Sequence, residues 1–338
     1  MVFLSSFLRV ECFTGVSRMI STRAISSKIG SKSKLRSLAH SCDDKSYIKL
    51  PRLYINDLLN GNTIVRLPKE DSHYVVNVMR MKSGSTLRAF NPNDGEYLAE
   101  LNCNQRDATV RIISQIRAPL LEGPVFPGVL FFAPIKKTRM KILLEKATEL
   151  GVEHLVPVIT QNTQFPIEAS SLETYRKQCI QSAEQCERMT LPVLHSPVSI
   201  SELLGGKAPK SDSLATTQLF DLPLLICAER LASNPGGEMG STTSSTSGAT
   251  YAALPFLSAV QNLLRPSTVN AITADQTNKK MPSFGVVVGP EGGFTKEEIE
   301  KLAALNRAQL VSLGSNVLRA ETASIAALSV ISCVVDSI

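Results

Sequence analysis

The sequence has few of the residues that disulfide frameworks and structural metal sites require. Its seven cysteines are scattered, no two of them form a C-x-x-C pair, and its four histidines are equally dispersed. This pattern excludes a disulfide-stapled domain and a zinc module, and it indicates a reducing compartment and no bound metal. Nor does any stretch reach the ~18 apolar residues of a membrane span, so no membrane association is predicted.

Beyond its first 49 residues the chain also lacks an excess of charge. The formal net charge of the 338 residues is +6, and residues 1–49 carry all of it, with nine lysines and arginines against three acidic residues. Any affinity of the remaining chain for nucleic acid must therefore come from local basic clusters.

Residues 1–49 have the composition of an organellar transit peptide. They are rich in serine, basic and poor in acids, and Arg9 and Glu11 interrupt the apolar stretch that a secretory signal would need. A disordered cytosolic tail is the alternative. The excess of serine over arginine slightly favours the chloroplast over the mitochondrion.

Residues 50–118 contain short β-type runs separated by turn signals, which predicts a small β-barrel. One helix is predicted within 69–84, with Val75, Val78 and Met79 facing inward. A linker rich in proline and glycine follows.

Residues 124–338 alternate between apolar strands and amphipathic helices. The helix that ends at Gly151 has Met140, Leu143 and Ala147 on one face. Such alternation predicts a parallel sheet with helices on both faces. Residues 231–283 break the rhythm with small and polar residues, and we predict a disordered insertion there.

One strand–turn–helix unit, VVVGPEGGFTKEEIEKL (286–302), has an acid in the centre of a glycine-rich turn. The turn matches neither a P-loop nor G-x-G-x-x-G, and Thr295 and Glu298 form a capping box that starts a helix at Lys296. A polyphosphate would therefore meet the Glu291 carboxylate and a capped helix. The glycines allow close approach of a neutral or cationic ligand, and a purely structural tight turn is the equal alternative.

A second loop follows the next predicted strand, in SLGSNVLRAETASIAAL (312–328). It turns at Gly314 and presents Arg319 and Glu321 at a helix start, where the two could merely form a surface ion pair. Taken together, however, G-P-E-G-G and L-G-x-x-x-L-R-x-E-T-A resemble the cofactor loops of the RsmE type of SPOUT methyltransferase. The resemblance extends through SHYVVNVMRMKSGSTL, EKATELGVEHLVPVIT and AEQCERMTLP, and covers most of 52–334.

This resemblance implies a fold and an activity. The fold is a PUA-like β-barrel for RNA at 50–118, then at 124–338 a SPOUT-type parallel α/β sheet with a C-terminal trefoil knot. The activity is methylation of uridine N3 in small-subunit (16S-type) ribosomal RNA, with S-adenosylmethionine as cofactor. The resemblance also implies a homodimer with each cofactor site at the subunit interface. The helix at 322–335 agrees, because it is apolar nearly all round and should be buried on every side.

The resemblance also assigns residues to the cofactor pocket, and the chemistry of methyl transfer to N3 suggests catalytic candidates. The cofactor-binding residues are Gly289, Glu291, Gly292, Leu313, Gly314, Val317, Leu318 and Arg319. The catalytic candidates are Arg319, Glu321 and Arg188, with Arg319 best suited to stabilise a uridine anion and Glu229 as a weaker candidate. Each of them could instead belong to an ordinary ion pair.

RNA contacts are expected from basic residues: Arg80, Lys82, Lys136, Lys137 and Arg139. The last three lie at a predicted helix start, where positive charge costs helix stability, and this cost favours a phosphate-binding role.

Two positions depart from the family pattern. The chain has QNTQF after VPVIT, where the family has a basic residue followed by serine, and it has Glu187 where the family has glycine. Two other functions compete with the methyltransferase: a non-catalytic RNA-binding ribosome assembly factor that retains the fold, and a nucleotide-dependent oxidoreductase. The missing G-x-G-x-x-G disfavours the oxidoreductase.

Overall fold

The structure, a computed structural model, describes residues 45–104, 107–119, 126–206, 218–228, 253–265 and 283–337. Residues 1–44 of the predicted transit peptide, Glu229 and most of the predicted insertion lie outside these ranges. No helix within them is both long and apolar enough to cross a membrane.

The N-terminal sheet is mostly antiparallel, and its strands follow one another in the order β1-β3-β4-β5-β2. The strands are β1 (Arg52–Tyr54), β2 (Ile64–Arg66), β3 (Thr86–Asn91), β4 (Gly95–Cys103) and β5 (Ala108–Arg117). Apolar residues at alternate positions, such as Leu87, Ala99 and Val110, form its core. The predicted strands are confirmed except that β1 was missed, since three residues are too few to show alternation.

The helix of this region is α1 (Lys69–His73), and it continues into a π-helical turn at Tyr74–Val78. Val75 is buried as predicted, but Val78 is 59% exposed. The prediction for Val78 is wrong because it assumed α-helical spacing, and a wider turn of five residues moves this side chain outward.

The C-terminal sheet is parallel throughout, in the order β11-β13-β10-β12-β6-β7-β8. Its strands are β6 (Phe126–Phe132), β7 (Val152–Ile159), β8 (Val193–Leu194), β9 (Val198–Ser199), β10 (Leu224–Cys227), β11 (Leu254–Pro255), β12 (Gly285–Val288) and β13 (Ala308–Ser312), with β9 paired to β7. The helices are α2 (Lys137–Glu149), α3 (Ala169–Gln185), α4 (Ile200–Leu204), α5 (Phe256–Leu264), α6 (Lys296–Ala303) and α7 (Ala320–Val335).

Two apolar cores lie on opposite faces of this sheet. Along β6, Leu130 and Phe132 belong to the core that α2, α3, α5 and α7 cover, whereas Val129 and Phe131 belong to the other. Strands buried on both faces explain the continuous apolar runs in the sequence. The predicted parallel sheet with helices on both faces is confirmed, and the trefoil knot stays a prediction.

The predicted insertion at 231–283 is too long. Residues 253–265 within it form β11 and α5, and α5 buries Phe256, Ala259 and Val260 in the main core. This helix was not predicted from the sequence, because its apolar signal spans only nine residues between long polar stretches.

The N-terminal boundary of the folded unit also differs from the prediction. Lys45–Lys49 is a 3-10 helix, and the compact unit begins at Ser46. The backbone oxygens of Ile48 and Leu50 accept hydrogen bonds from the buried guanidinium of Arg88, at 3.0 and 3.2 Å. Removal of residues 1–49 would take away part of the fold, so the predicted transit peptide is too long by several residues, and the transit peptide itself stays a prediction.

Arg52 joins the N-terminal sheet to α3. Its Nε atom donates to Glu96 at 2.7 Å, and its Nη1 atom donates to the backbone oxygen of Ala183 at 2.7 Å. The guanidinium also lies 3.8 Å above the centre of the Phe90 ring. Because this buried guanidinium bonds to both the N-terminal sheet and α3, it fixes the position of that sheet relative to α3.

Candidate active site

A pocket opens where β10 and β12 end, which is where open parallel sheets bind ligands. The space between its lining atoms is about 630 Å³, open solvent at its mouth included. The lining combines backbone of the glycine-rich loop with apolar side chains and includes Val288, Phe294, Ile299 and Leu318.

The glycine-rich loop is shaped by a tight turn and by the start of α6. Gly293 donates its N–H to the Pro290 oxygen at 2.8 Å and has a φ of +71°, which favours glycine. Thr295 and Glu298 form the predicted capping box, and α6 starts at Lys296 as predicted. The helix N-terminus is therefore not available to a phosphate.

Asn162, which the sequence analysis did not select, holds the glycine-rich loop in place. Its Nδ2 atom donates to the backbone oxygens of Gly293 and Gly292, at 3.0 and 3.4 Å. A Cβ on Gly292 would lie 3.0 Å from the Asn162 Cβ, so the close approach at Gly292 is to protein. Asn162 belongs to QNTQF, and that departure from the family pattern was the signal that could have identified it.

The predicted cofactor residues divide into two groups. Gly289, Glu291, Val317 and Leu318 line the pocket, with Val317 60% exposed. The other predicted cofactor residues are outside the lining: Gly292, Leu313, Gly314 and Arg319. Three of these are exposed, while Leu313 packs against the main core.

Arg139 pairs with two carboxylates beside this pocket. Its Nη1 atom lies 3.2 Å from Oε1 of Glu291, and its Nε atom lies 3.6 Å from Oε1 of Glu321. Its charge is thus engaged by protein groups, and the expected contact of Arg139 with RNA phosphate is not supported. The sequence could not show this, because the partners are about 150 positions away or more.

Arg188, a predicted catalytic residue, does not line the pocket. Its Nη1 and Nη2 atoms donate to the backbone oxygens of Thr148 and Val152, both at 2.7 Å, and its Nε atom donates to Thr190 at 3.0 Å. Burial lowers the pKa of this guanidinium to about 10. These hydrogen bonds tie the end of α2 to the start of β7, so the structure gives Arg188 a structural role, and its catalytic role stays a prediction.

Arg319 and Glu321 lie together at the start of α7. Arg319 is the exposed N-cap residue, and Glu321 is buried in the first turn. The remaining RNA candidates are exposed as well: Arg80 and Lys82 after the π-helical turn, and Lys136 and Lys137 at the start of α2. Their positions are compatible with phosphate contacts.

Comparison with known proteins identifies the family. Residues 67–112 match the RNA methyltransferase PUA domain. Residues 122–229 and 256–332 match the RNA methyltransferase domain, and this match covers more than half of the chain. The chain belongs to this RNA methyltransferase family. The PUA match covers β3, β4 and the first half of β5 in the N-terminal sheet, and α5 lies within the methyltransferase match.

Curated relatives align with more than four fifths of this RNA methyltransferase. The chain is 29% identical over 284 residues to ribosomal RNA small subunit methyltransferase E of Rickettsia conorii, which covers 83% of this chain and 95% of the relative. The protein of the same name from Synechocystis is 27% identical over 292 residues, or 86% of this chain and 80% of the relative.

Solved structures share the fold. A methyltransferase of Legionella pneumophila in complex with S-adenosylmethionine has a TM-score of 0.61 at 24% identity and covers 85% of this chain and 98% of that one. Ribosomal RNA small subunit methyltransferase E of Neisseria gonorrhoeae, bound to S-adenosylmethionine, has a TM-score of 0.60 at 22% identity, with 84% and 98% covered. These matches confirm the predicted fold, and the two family matches give the order of the PUA domain and the methyltransferase domain.

Proposed function

We propose that this protein methylates N3 of a uridine in the small-subunit ribosomal RNA of an organelle, with S-adenosylmethionine as the methyl donor. The observation that carries the proposal is the pocket between the 289–294 loop and the 317–323 segment, at the carboxyl ends of β10 and β12. The names of the curated relatives support ribosomal RNA as the substrate.

The chemistry of the pocket fits this cofactor. S-adenosylmethionine supplies an electrophilic methyl group on a sulfonium cation and carries no phosphate. The Glu291 carboxylate at the pocket is compatible with a cation, and the capped start of α6 offers no phosphate site. Val288, Ile299 and Leu318 provide the apolar surface that a purine base needs.

Methylation at N3 of uridine forms an N–C bond, releases the N3 proton and leaves S-adenosylhomocysteine. The protein must therefore orient the base and either accept the proton or stabilise the anion that remains. We assign the stabilisation of that anion to Arg319, which is exposed at the start of α7, one residue after the lining residue Leu318. Glu321, two residues later, is the candidate acceptor.

RNA binding is assigned to the PUA domain and to the start of α2. Lys136 and Lys137 are exposed at a helix N-terminus, where a positive charge lowers helix stability and a phosphate would compensate for it. Arg80 and Lys82 extend the basic surface on the PUA domain.

A homodimer is part of the proposal. Helix α7 buries one face in the main core, and Ile325 remains partly exposed in the single chain, so the expected burial on every side would need a second copy. Helices α2 and α5, which pack beside α7, expose Ile142 and Leu257. An apolar surface of this kind suits a second copy of the chain.

The experiment compares organellar ribosomal RNA from cells with and without this protein. The expected result is a single 3-methyluridine in small-subunit RNA that disappears without the protein, together with S-adenosylmethionine binding by the purified protein in calorimetry. If RNA binds but neither the cofactor nor the modification is found, the protein is the non-catalytic assembly factor instead.

A further inference from the structure

Arg139 connects three separate segments around the pocket. It lies near the start of α2, while its partners Glu291 and Glu321 lie in the glycine-rich loop after β12 and in the first turn of α7. Its Nη1 edge faces Glu291 and its Nε atom faces Glu321, at 3.2 and 3.6 Å. One guanidinium therefore links both segments that border the pocket.

The pair with Glu321 is the more buried of the two. The Glu321 side chain is 11% exposed, against 31% for Arg139 and for Glu291. Burying a carboxylate this far is costly unless a cation compensates its charge. Among the described residues, Arg139 is the cation that pairs with it.

Glu321 retains one oxygen with no partner. Its Oε2 atom is buried and makes no hydrogen bond within the described part of the chain. Such an unsatisfied acceptor costs about 1–3 kcal/mol, so it needs an explanation. Ala320 and Ala323, the neighbours of Glu321 in the first turn of α7, line the pocket, so this oxygen lies in a helical turn that borders it.

We propose that Arg139 is a positioning residue of the methyltransferase site. It holds Glu321 through Oε1, so that Oε2 is left to accept a hydrogen bond from the substrate, and its ion pair with Glu291 orients the guanidinium for this role. The planar guanidinium suits this role, because it presents donors along two edges at once. The inference rests on the proposed function, since it assigns a role in that same site.

The test uses Arg139→Met and Arg139→Lys in the full chain. Methyl transfer to in vitro transcribed small-subunit RNA is measured in a single turnover at saturating S-adenosylmethionine and RNA. We expect the rate to fall tenfold or more in Arg139→Met and at least threefold in Arg139→Lys. The lysine ammonium cannot donate to two carboxylates along two edges, as the planar guanidinium does. RNA affinity and its salt dependence should change little.

A double-mutant cycle with Glu321→Gln separates positioning from general stability. If Arg139 acts through Glu321, adding Arg139→Met to Glu321→Gln should lower the rate less than twofold further. Arg176→Met is the matched control, because Arg176 is a half-exposed helical arginine on α3 with a carboxylate neighbour, Glu173. This control should leave the rate unchanged.

Three results would overturn the inference. One is an unchanged single-turnover rate in Arg139→Met. A second is weaker RNA binding with a salt slope lower by about one, which would make Arg139 a phosphate contact. A third is a double variant whose rate loss equals the product of the losses in Arg139→Met and Glu321→Gln, because the two residues would then act independently. Should Arg139→Met fail to fold, the cycle is run with Arg139→Lys. If the unmodified protein binds no S-adenosylmethionine, the proposed function itself fails.

Discussion

Glu187 occupies a left-handed backbone position in the turn after α3, with a φ of +60°. Glycine adopts this conformation without strain, which explains physically why the resembling family has glycine there. In this chain the glutamate gains an ion pair instead: Oε1 of Glu187 lies 3.0 Å from Nη2 of Arg88, and the Glu187 side chain is 45% exposed. Because the carboxylate of this pair is half-exposed, the pair contributes about 1 kcal/mol, which is similar to the cost of the left-handed backbone.

The strain at Glu187 can be measured with two substitutions. Both Glu187→Gly and Glu187→Ala remove the ion pair, but only alanine keeps a Cβ in the left-handed region. We therefore expect the glycine variant to be more stable than the alanine variant by about 1 kcal/mol in denaturant unfolding. At Glu300, an exposed position inside α6, the order should be reversed by a similar amount. If the Glu187→Gly and Glu187→Ala variants are equally stable, the backbone of the turn must change to a conformation that does not strain the alanine.

At the scale of loops and helices, substitutions in the glycine-rich loop and at the start of α2 should affect different activities. The loop substitution should impair cofactor binding, and the α2 substitutions should impair RNA binding. Gly292→Val would push its side chain into Asn162, the residue that holds the loop. We expect S-adenosylmethionine affinity to fall at least tenfold in calorimetry, with RNA affinity changed little.

Replacing Lys136 and Lys137 by alanine should do the reverse. Cofactor affinity stays normal, RNA binding weakens, and the salt slope falls by about one unit per lost phosphate contact.

If a folded Gly292→Val variant keeps full cofactor affinity, the glycine-rich loop is only a turn.

Helix α5 and the polar segment before it should differ sharply in their importance for folding. Phe256 is 3% exposed in the main core, so Phe256→Ala should lower the free energy of unfolding by about 3–5 kcal/mol. Residues 233–250 contain almost no apolar residues, and their deletion should leave the melting temperature and methyl transfer nearly unchanged. A large loss on deletion would mean that the segment packs against the rest of the protein.

The sequence predicted the elements that carry their own local signal. Periodicity located α2 with Met140 and Leu143 buried, and the capping box located the start of α6. It could not predict side-chain partners across the fold, as with Arg139 and Arg188, because the elements that meet are far apart in the chain. It also missed α5, where the local signal was shorter than the polar stretches around it.

On the scale of the whole molecule, the contacts of Arg88 limit how much of the N-terminus can be removed without loss of stability. This arginine is 5% exposed and donates to the backbone oxygens of Ile48 and Leu50. A chain that starts at residue 45 should be as stable as the full chain. A chain that starts at residue 51 loses both acceptors and should be less stable by about 1–3 kcal/mol in denaturant unfolding. Equal stabilities of the two truncated chains would place the boundary after residue 50.

The same boundary defines the targeting experiment. Residues 1–44, which are basic and rich in serine, should direct a fluorescent protein into an organelle, with the chloroplast expected over the mitochondrion. The control is residues 45–338 fused to the same fluorescent protein, which should remain outside organelles because the basic leader is gone. A diffuse cytosolic signal from the leader fusion would contradict organellar targeting and, with it, the proposal that the substrate is organellar ribosomal RNA. The fold and the cofactor site would be unaffected by that result, because the compact unit begins only at Ser46.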